Sequence, residues 1–147
     1  MIDEFRGDYG WLSNLVGSCI TPKGTWCKTV EHAFQASKTL VPSERQMILA
    51  CETPGQAKRL GRKVTLRLGW DAVKDRVMLT LVRSKLSNPA LAAMLLSTGW
   101  EPLIEGNYWH DNYWGSCKCA KCGDNGQNKL GKILMQVRTE LREKRNG

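Results

Sequence analysis

Apolar residues recur at helical spacing in two long segments of the chain, and they predict a helix in each. In the first, Val73, Val77 and Leu81 share one face, so we expect an amphipathic helix from Asp71 to about Lys85. The last segment, NKLGKILMQVRTELREKR, carries an apolar stripe opposite its Lys and Arg residues: Leu130, Ile133, Leu134, Val137 and Leu141. Both stripes are expected to pack into the core.

Capping residues predict further helices between the start of the chain and the first long segment. Thr29 suits the N-cap of a helix from Val30 to about Leu40, with Pro42 marking its end. Two later segments, Ser43 to Gln46 and Thr53 to Gln56, match the capping-box pattern and predict two short helices. The second of these has Pro at its first position and is expected to end at Gly61.

One more helix and a small β element complete the expected fold. Asn88 and Pro89 begin ALAAMLLST, which is almost wholly apolar and therefore expected to be buried. Residues 17–27 predict two short strands around a Pro-Lys-Gly turn, with Ile20 and Trp26 as apolar anchors. Residues 102–104 predict another short strand. The fold class is predominantly α (α+β): a single compact domain, residues 1–147, of about six helices with a small β-hairpin near the N-terminus.

Charge narrows the classes of partner. The formal net charge is +8, with five Lys and Arg against six Asp and Glu before Lys58 and seventeen against eight from Lys58 onward. This surplus favours a phosphate-bearing partner, DNA, RNA or a nucleotide, and it makes Arg62 a candidate phosphate contact. A solvated basic surface explains the same charge equally well. The oligomeric state is not determined by this pattern.

No apolar run reaches the roughly 18 residues needed to cross a bilayer, and the first residues lack a signal-peptide pattern. A cytoplasmic protein with no membrane partner is therefore expected. The six cysteines lack the regular framework of a small secreted fold, so reduced thiols are expected.

The segment VEHAFQASK places polar groups inside an otherwise apolar helix. Helical spacing puts Glu31, Gln35 and Lys38 on one side, so a carboxylate, an amide and an amine can face one cleft. His32 lies about 100 degrees away and suits either a cleft contact or a structural hydrogen bond. An ion pair with an arginine such as Arg6 is the structural alternative for Glu31.

Aromatic and amide side chains are concentrated in EGNYWHDNYWG, which suits a flat polar ligand such as a nucleobase. Its candidate site residues are Asn107, Trp109, Asp111 and Trp114. Asp111 can stabilise positive charge or activate water in glycosidic chemistry, and an Asx-turn is its structural alternative. The glycine-punctuated segment FRGDYGWLSN adds further candidate ligand contacts: Arg6, Gly7, Trp11, Ser13 and Asn14.

Three closely spaced cysteines follow the aromatic segment. Cys117, Cys119 and Cys122 include a C-x-x-C spacing that suits a structural zinc, with His110, Cys27 or Cys51 as the fourth ligand. The glycine-rich turn after them precedes the last helix, where Asn128 and free backbone N–H groups can receive an anion.

The order of these motifs resembles the NADAR family over nearly the whole chain. The matching segments are FRG and WLSN, VEHAFQASK, PGQAKRLGRKV, W-D-x-V-K-x-x-V-M beginning at Trp70, EGNYWHDNYWG, and G-x-N-x-L-G-x-x-L-M. The resemblance implies a largely helical N-glycosidase that needs no cofactor for catalysis. Two kinds of substrate are implied: ADP-ribosylated guanine in nucleic acid and phosphorylated intermediates of the riboflavin pathway. A non-hydrolysing sensor of NAD or ADP-ribose is the alternative class.

The same resemblance implies roles for individual residues. Glu31 and Asp111 would be catalytic, and Lys38 would attack the sugar C1 as an imine-forming nucleophile. The remaining implied substrate contacts are Arg6, Asn14, Trp70, Trp109 and Trp114. The chain has CKCAKC where the riboflavin enzymes have a glycine-rich stretch, which together with the basic surplus favours the nucleic-acid substrate.

Overall fold

The computed structural model describes residues 1–147, which form two compact units. One unit is Asn14–Lys85, and the other combines Met1–Ser13 with Leu86–Gly147. The first holds β1 (Cys19–Ile20), β2 (Trp26–Cys27), α1 (Val30–Ala36), α2 (Pro42–Leu49), α3 (Pro54–Gly61) and α4 (Trp70–Lys85). The second holds a 3-10 helix (Gly7–Leu12), α5 (Pro89–Ser97), β3 (Gly106–Asn107), β4 (Ser116–Cys117) and α6 (Lys129–Asn146). The predicted helical fold with a small hairpin near the N-terminus is confirmed.

The hairpin forms where it was predicted, but Ile20 and Trp26 are not the buried residues that anchor it. β1 and β2 pair antiparallel, with Cys19 opposite Cys27 and Ile20 opposite Trp26. Successive side chains of a strand point to opposite faces, and here the thiols are buried while Ile20 and Trp26 are exposed.

Two of the predicted helix boundaries need correction. α1 ends at Ala36 rather than near Leu40, because the chain tightens into a turn in which Lys38 N–H donates to the Gln35 carbonyl at 3.1 Å. Pro42 begins α2 instead of ending α1, since proline suits the first helical position. Ser43 therefore lies inside the first turn and makes no capping bond, and the N-cap residue is Val41.

The other caps agree with the predictions. The Thr53 hydroxyl accepts from Gln56 N–H, and the Gln56 side chain accepts from the backbone N–H of Thr53, which completes the capping box of α3. The Asn88 side chain accepts from the Ala90 and Leu91 N–H groups at the start of α5. Capping side chains act within one turn, so sequence spacing is enough to identify them.

α5 and the strands of its unit differ from expectation. Of the α5 residues only Leu95 is fully buried and Leu91, Ala92 and Leu96 are half-buried, because a short surface helix packs one face against the protein. Residues 102–104 contribute a single bridge, between Ile2 and Leu103, rather than a strand. The paired strands are β3 and β4, which run parallel. None of the helices is both long and apolar enough to cross a bilayer.

Candidate functional site

The N-terminus of α1 holds the first group of candidate residues in place. The Thr29 hydroxyl accepts from His32 N–H at 3.1 Å and caps the helix, while Glu31 N–H donates to the Asn14 carbonyl at 3.1 Å. Asn14 is itself buried, and its Nδ2 donates to the Met78 sulfur at 3.3 Å. Asn14 thus fixes the start of α1 through its backbone and α4 through its side chain.

Glu31, Gln35 and Lys38 form the α1 cluster. Gln35 Nε2 donates to Glu31 Oε1 at 2.8 Å, as expected for side chains four residues apart on a helix. Gln35 Oε1 is buried without a hydrogen-bond partner and faces Gly61 of α3. A Cβ at position 61 would overlap that oxygen, so glycine allows α3 to approach α1 closely.

The Lys38 amine is half-buried and close to charges of both signs. Burial is the main cause that lowers the pKa of Lys38, while the Glu31 carboxylate opposes this effect. Positive charges lower the pKa further: Arg62, Lys58 and Lys74. A larger fraction of the amine is therefore neutral near pH 7 than for a lysine in water. A neutral amine is the form that can act as a nucleophile.

His32 and Trp70, two of the predicted substrate contacts, are buried and contact other parts of the protein. The His32 side chain is fully buried, and its Nε2 lies 2.9 Å from the Cys51 carbonyl, which can only accept. Nε2 therefore carries the proton, and Nδ1 accepts from the Thr29 hydroxyl at 2.8 Å. Trp70 is also buried, and its ring lies 5.1 Å from that of Phe34. Both side chains are buried in this structure, and their substrate contacts stay predictions.

In the other unit, buried Asn107 holds the aromatic segment in shape. Its Oδ1 accepts from the N–H groups of Trp109 at 3.3 Å and Asp111 at 3.2 Å. Its Nδ2 donates to the Asp111 carbonyl at 2.9 Å. The side chain is 1% exposed and fixes the shape of the loop, and its substrate contact stays a prediction.

Asp111 and the tryptophans are partly accessible. Asp111 Oδ1 accepts from the N–H groups of Tyr113 at 3.1 Å and Trp114 at 3.0 Å, which is the Asx-type turn that was the alternative for this residue. Trp109 is 56% exposed and suits stacking on a base, while Trp114 is half-buried with its ring edge-on to Tyr113 at 4.8 Å.

The N-terminus of α6 is closed by the aromatic segment. Lys129 N–H donates to the Tyr113 carbonyl at 3.1 Å and Leu130 N–H to the Trp114 carbonyl at 2.9 Å. These groups were expected to receive an anion, but the loop already uses them. The Asn128 amide is likewise used, since it accepts from Glu105 N–H at 2.9 Å and donates to the Leu103 carbonyl at 2.9 Å. Asn128 thus ties the start of α6 to residues 103–105, and its substrate contact stays a prediction.

The segment around the 3-10 helix keeps its one cationic side chain, Arg6, exposed. Arg6 is exposed and lies 3.6 Å from Glu4 across an ion pair. Gly7 has a φ of 59°, a left-handed conformation that favours glycine. Trp11 is half-buried, and its indole N–H donates to the Asp8 carbonyl at 3.1 Å, while Ser13 follows the 3-10 helix as its C-cap. Arg6 is thus the accessible side chain of this segment that can bind a phosphate.

Sequence reasoning missed three basic residues beside Lys38. Lys58 and Lys74 affect the Lys38 amine by their charge, and Arg67 N–H donates to the Lys38 carbonyl at 2.8 Å. Lys58 lies on α3, Lys74 on α4, and Arg67 in the connection between them. A signal was present for Lys58 in the basic face of α3, but Lys74 and Arg67 are brought to Lys38 by packing alone.

Comparison with known proteins identifies the family. A family model described as the NADAR domain matches residues 3–142. The chain belongs to the NADAR family. It is 38% identical to N-glycosidase YbiA of Escherichia coli (strain K12) over 137 residues, 91% of this chain and 82% of that protein. The NMR structure of the E. coli protein YbiA superposes with a TM-score of 0.82 at 34% identity, covering 99% of this chain and 89% of that chain.

Two further relatives extend the comparison. N-glycosidase Npun_R5314 of Nostoc punctiforme is 40% identical over 142 residues, 91% of this chain and 86% of that protein. Riboflavin biosynthesis protein VVA0006 of Vibrio vulnificus is 38% identical over 140 residues, 92% of this chain and 36% of that longer protein. The NADAR chain described here is therefore an enzyme, an N-glycosidase in the general sense.

Proposed function

We propose that this NADAR protein removes ADP-ribose from ADP-ribosylated guanine in nucleic acid. The observation that supports the substrate is the location of its charge. The unit Asn14–Lys85, which holds Glu31 and Lys38, has thirteen Lys and Arg against five Asp and Glu, a net charge of +8. The remaining residues have nine of each and no net charge. ADP-ribose on a nucleic acid is a dense polyanion, and it is attracted to a surface of this kind.

The α1 cluster supplies a chemical route for this reaction. The neutral Lys38 amine attacks C1 of the ribose, and the bond from C1 to the guanine nitrogen breaks, so the base leaves with the bonding pair and takes up a proton. The attached nitrogen carries two protons: the nearby Glu31 carboxylate accepts one, and the other ends on the ring oxygen as the sugar ring opens to an imine. Water then adds to the imine carbon and releases ADP-ribose with its aldehyde, which returns the amine on Lys38.

Glu31→Gln tests the reaction and the substrate together. The wild type and the variant are incubated with an oligonucleotide that carries ADP-ribosylated guanine, and the products are separated by chromatography with mass detection. We expect free ADP-ribose from the wild type and at least about a 100-fold slower release from Glu31→Gln, because the amide cannot accept a proton. Glu52→Gln, at an exposed carboxylate on the same unit, is the matched control and should keep the wild-type rate.

Trapping tests the part of Lys38. Borohydride reduces an imine to a stable amine, so reduction during turnover should leave the sugar covalently attached to Lys38, which peptide mass spectrometry locates. Lys38→Arg keeps the positive charge but cannot form the imine, and it should give no adduct. Release of ADP-ribose without any adduct in the wild type would leave Glu31 as the base for direct attack by water and would remove the covalent step.

Hydrolysis of a phosphorylated riboflavin-pathway intermediate is the second candidate function. It is supported by the 38% identity to the riboflavin biosynthesis protein of Vibrio vulnificus. The same assay with that intermediate decides between the two, since release of ribose phosphate from it, with the oligonucleotide intact, would replace the nucleic-acid substrate. Binding of ADP-ribose without product from either substrate would indicate a sensor.

A further inference from the structure

A cluster of metal-ligand side chains lies in the unit formed by residues 1–13 and 86–147. The ligand atoms of His110, Cys117, Cys119 and Cys122 all lie within 4.8 Å of one another. His110 belongs to the aromatic segment, Cys117 to β4, and the other two thiols to the turn that follows. The other two residues considered as a fourth ligand make contacts elsewhere, since the Cys27 thiol donates to the Thr25 carbonyl and the Cys51 thiol to the Met47 carbonyl. We propose that these four side chains bind a structural zinc ion.

The distances within the cluster fit zinc. His110 Nδ1 lies 3.4 Å from the sulfur of Cys122 and 3.6 Å from the sulfurs of both Cys117 and Cys119. A tetrahedral zinc, with bonds of about 2.3 Å to sulfur and about 2.1 Å to nitrogen, places a sulfur and a nitrogen ligand about 3.6 Å apart. One imidazole nitrogen can make only one hydrogen bond along its single lone pair or proton, so hydrogen bonding does not account for three sulfurs around it.

The backbone around the cluster is shaped to present these ligands. His110 has a φ of 68°, a left-handed conformation that is uncommon outside glycine. Cys122 N–H donates to the Cys119 sulfur at 3.4 Å, and Cys117 N–H donates to the Asn112 side chain at 2.8 Å. Donors to the ligands and to their backbone hold a metal site in one geometry. A strained backbone at a ligand is also the kind of cost that metal binding offsets.

The proposed zinc would stabilise the segment that carries the candidate base and ribose contacts. His110 lies directly between Trp109 and Asp111, so a bond from its ring to zinc links that loop to β4 and the thiol turn. Four protein ligands fill the tetrahedron, which is typical of a structural site and leaves no position for a substrate or a water. The metal would order the loop and would take no part in bond cleavage.

Elemental analysis of the full-length protein, purified without chelator, tests the site. We expect about one equivalent of zinc per chain, and replacement by Co²⁺ should give the absorption of a tetrahedral cobalt–thiolate centre. Zinc well below one equivalent, with all six thiols reactive and no uptake after incubation with zinc under reducing conditions, would overturn the proposal. A disulfide among the three clustered thiols in freshly reduced and desalted protein would do the same.

Variants show whether these four ligands hold the metal. His110→Asn removes the imidazole but keeps a residue that tolerates a positive φ, so we expect zinc affinity, measured by chelator competition, to fall about 100-fold or more. His110→Cys restores a fourth ligand and should recover most of that affinity. Cys51→Ser changes a thiol outside the cluster and should keep one equivalent. Unchanged affinity in His110→Asn would overturn the assignment of the fourth ligand.

Hydrogen exchange provides a readout that does not depend on catalysis. Removing zinc with a chelator should raise the exchange of residues 107–126 and leave the α1 cluster unchanged, because the metal ties only the former segment. The same treatment of Cys51→Ser is the control and should match the wild type. Equal exchange in this segment with and without zinc would refute the structural part assigned to the metal.

Discussion

The Lys38 amine combines partial burial with three positive neighbours and one carboxylate. Because these surroundings lower its pKa, we predict that the rate of the proposed reaction rises with pH through a value below that of an ordinary lysine. Arg62→Ala removes one of the positive neighbours and should move this rise to higher pH. A pH profile of kcat/KM for both proteins measures the effect.

The matched control for this profile is Lys63→Ala. Lys63 is exposed and follows Arg62 in sequence, but it is not among the charges that act on Lys38. Its variant should keep the wild-type profile. If Lys63→Ala and Arg62→Ala moved the profile equally, the shift would reflect general surface charge, and the specific effect of Arg62 on Lys38 would be ruled out.

Lys85, at the end of α4, is a buried lysine whose charged form destabilises the folded state. It is 3% exposed, and burial lowers its pKa to about 8. The unfolded chain binds the Lys85 proton more tightly than the folded chain does. Burying the charged amine therefore lowers the free energy of unfolding, fully below pH 8 and progressively less as pH rises toward 10.5.

We therefore predict that Lys85→Met increases the free energy of unfolding at pH 7 by about 1 to 3 kcal/mol, with a smaller gain at pH 10. Denaturant unfolding at the two values of pH measures this difference. Lys63→Met, at an exposed position, should show no such dependence on pH. A gain for Lys85→Met that was the same at both values would mean that packing, and not charge burial, caused it.

At the scale of elements, the two similar capping patterns have different outcomes. Thr53 completes a capping box on α3, whereas Ser43 lies inside the first turn of α2 and caps nothing. We predict that Thr53→Ala lowers the free energy of unfolding by about 1 kcal/mol and that Ser43→Ala changes it by less than about 0.5 kcal/mol. Thermal and denaturant unfolding of the two variants form a matched pair. Equal losses would contradict the observed start of α2 at Pro42.

Elements predicted from caps and periodicity agree best with the structure. The α3 capping box, the Asn88 cap and most of the apolar stripe of α6 depend on residues within one or two turns, so spacing alone identified them. In α4 only Leu81 of the predicted stripe is buried, whereas Val73 and Val77 are half-buried. The anchors of the hairpin could not be chosen in this way. Cys19 and Ile20 differ in which face of the strand they occupy, and only the packing of that face decides which of the two is buried.

The whole molecule carries its entire net charge of +8 on residues 14–85. We predict that binding to a single-stranded oligonucleotide weakens linearly on a log–log plot against salt. Replacing Lys58 and Arg59 on α3 by Gln should reduce the slope by about 1 to 2, because each phosphate contact releases about one counterion. Fluorescence anisotropy at several salt concentrations measures the slope.

The control variant replaces Lys144 and Arg145 by Gln. Both residues lie at the end of α6, in the unit with no net charge. This variant loses the same formal charge as the α3 variant but should keep the wild-type slope. Equal slopes for the α3 variant and the wild type would show that α3 makes no phosphate contact, and its basic residues would then be a solvated face.

The sequence by itself determined the helices, most of their caps and the family, and it identified Glu31, Gln35 and Lys38 as neighbours. These features depend on spacing over about two turns of chain or on motifs that remain in order along it. Only the tertiary structure decided which polar groups were already used. His32, Asn107 and Asn128 were predicted to contact a ligand, and in the structure each also hydrogen-bonds the protein. His32 and Asn107 are buried and Asn128 is half-buried, and a polar group removed from water needs a partner that sequence separation hides. The folded loop likewise brings His110 within 4.8 Å of the three thiols, which sequence spacing does not show.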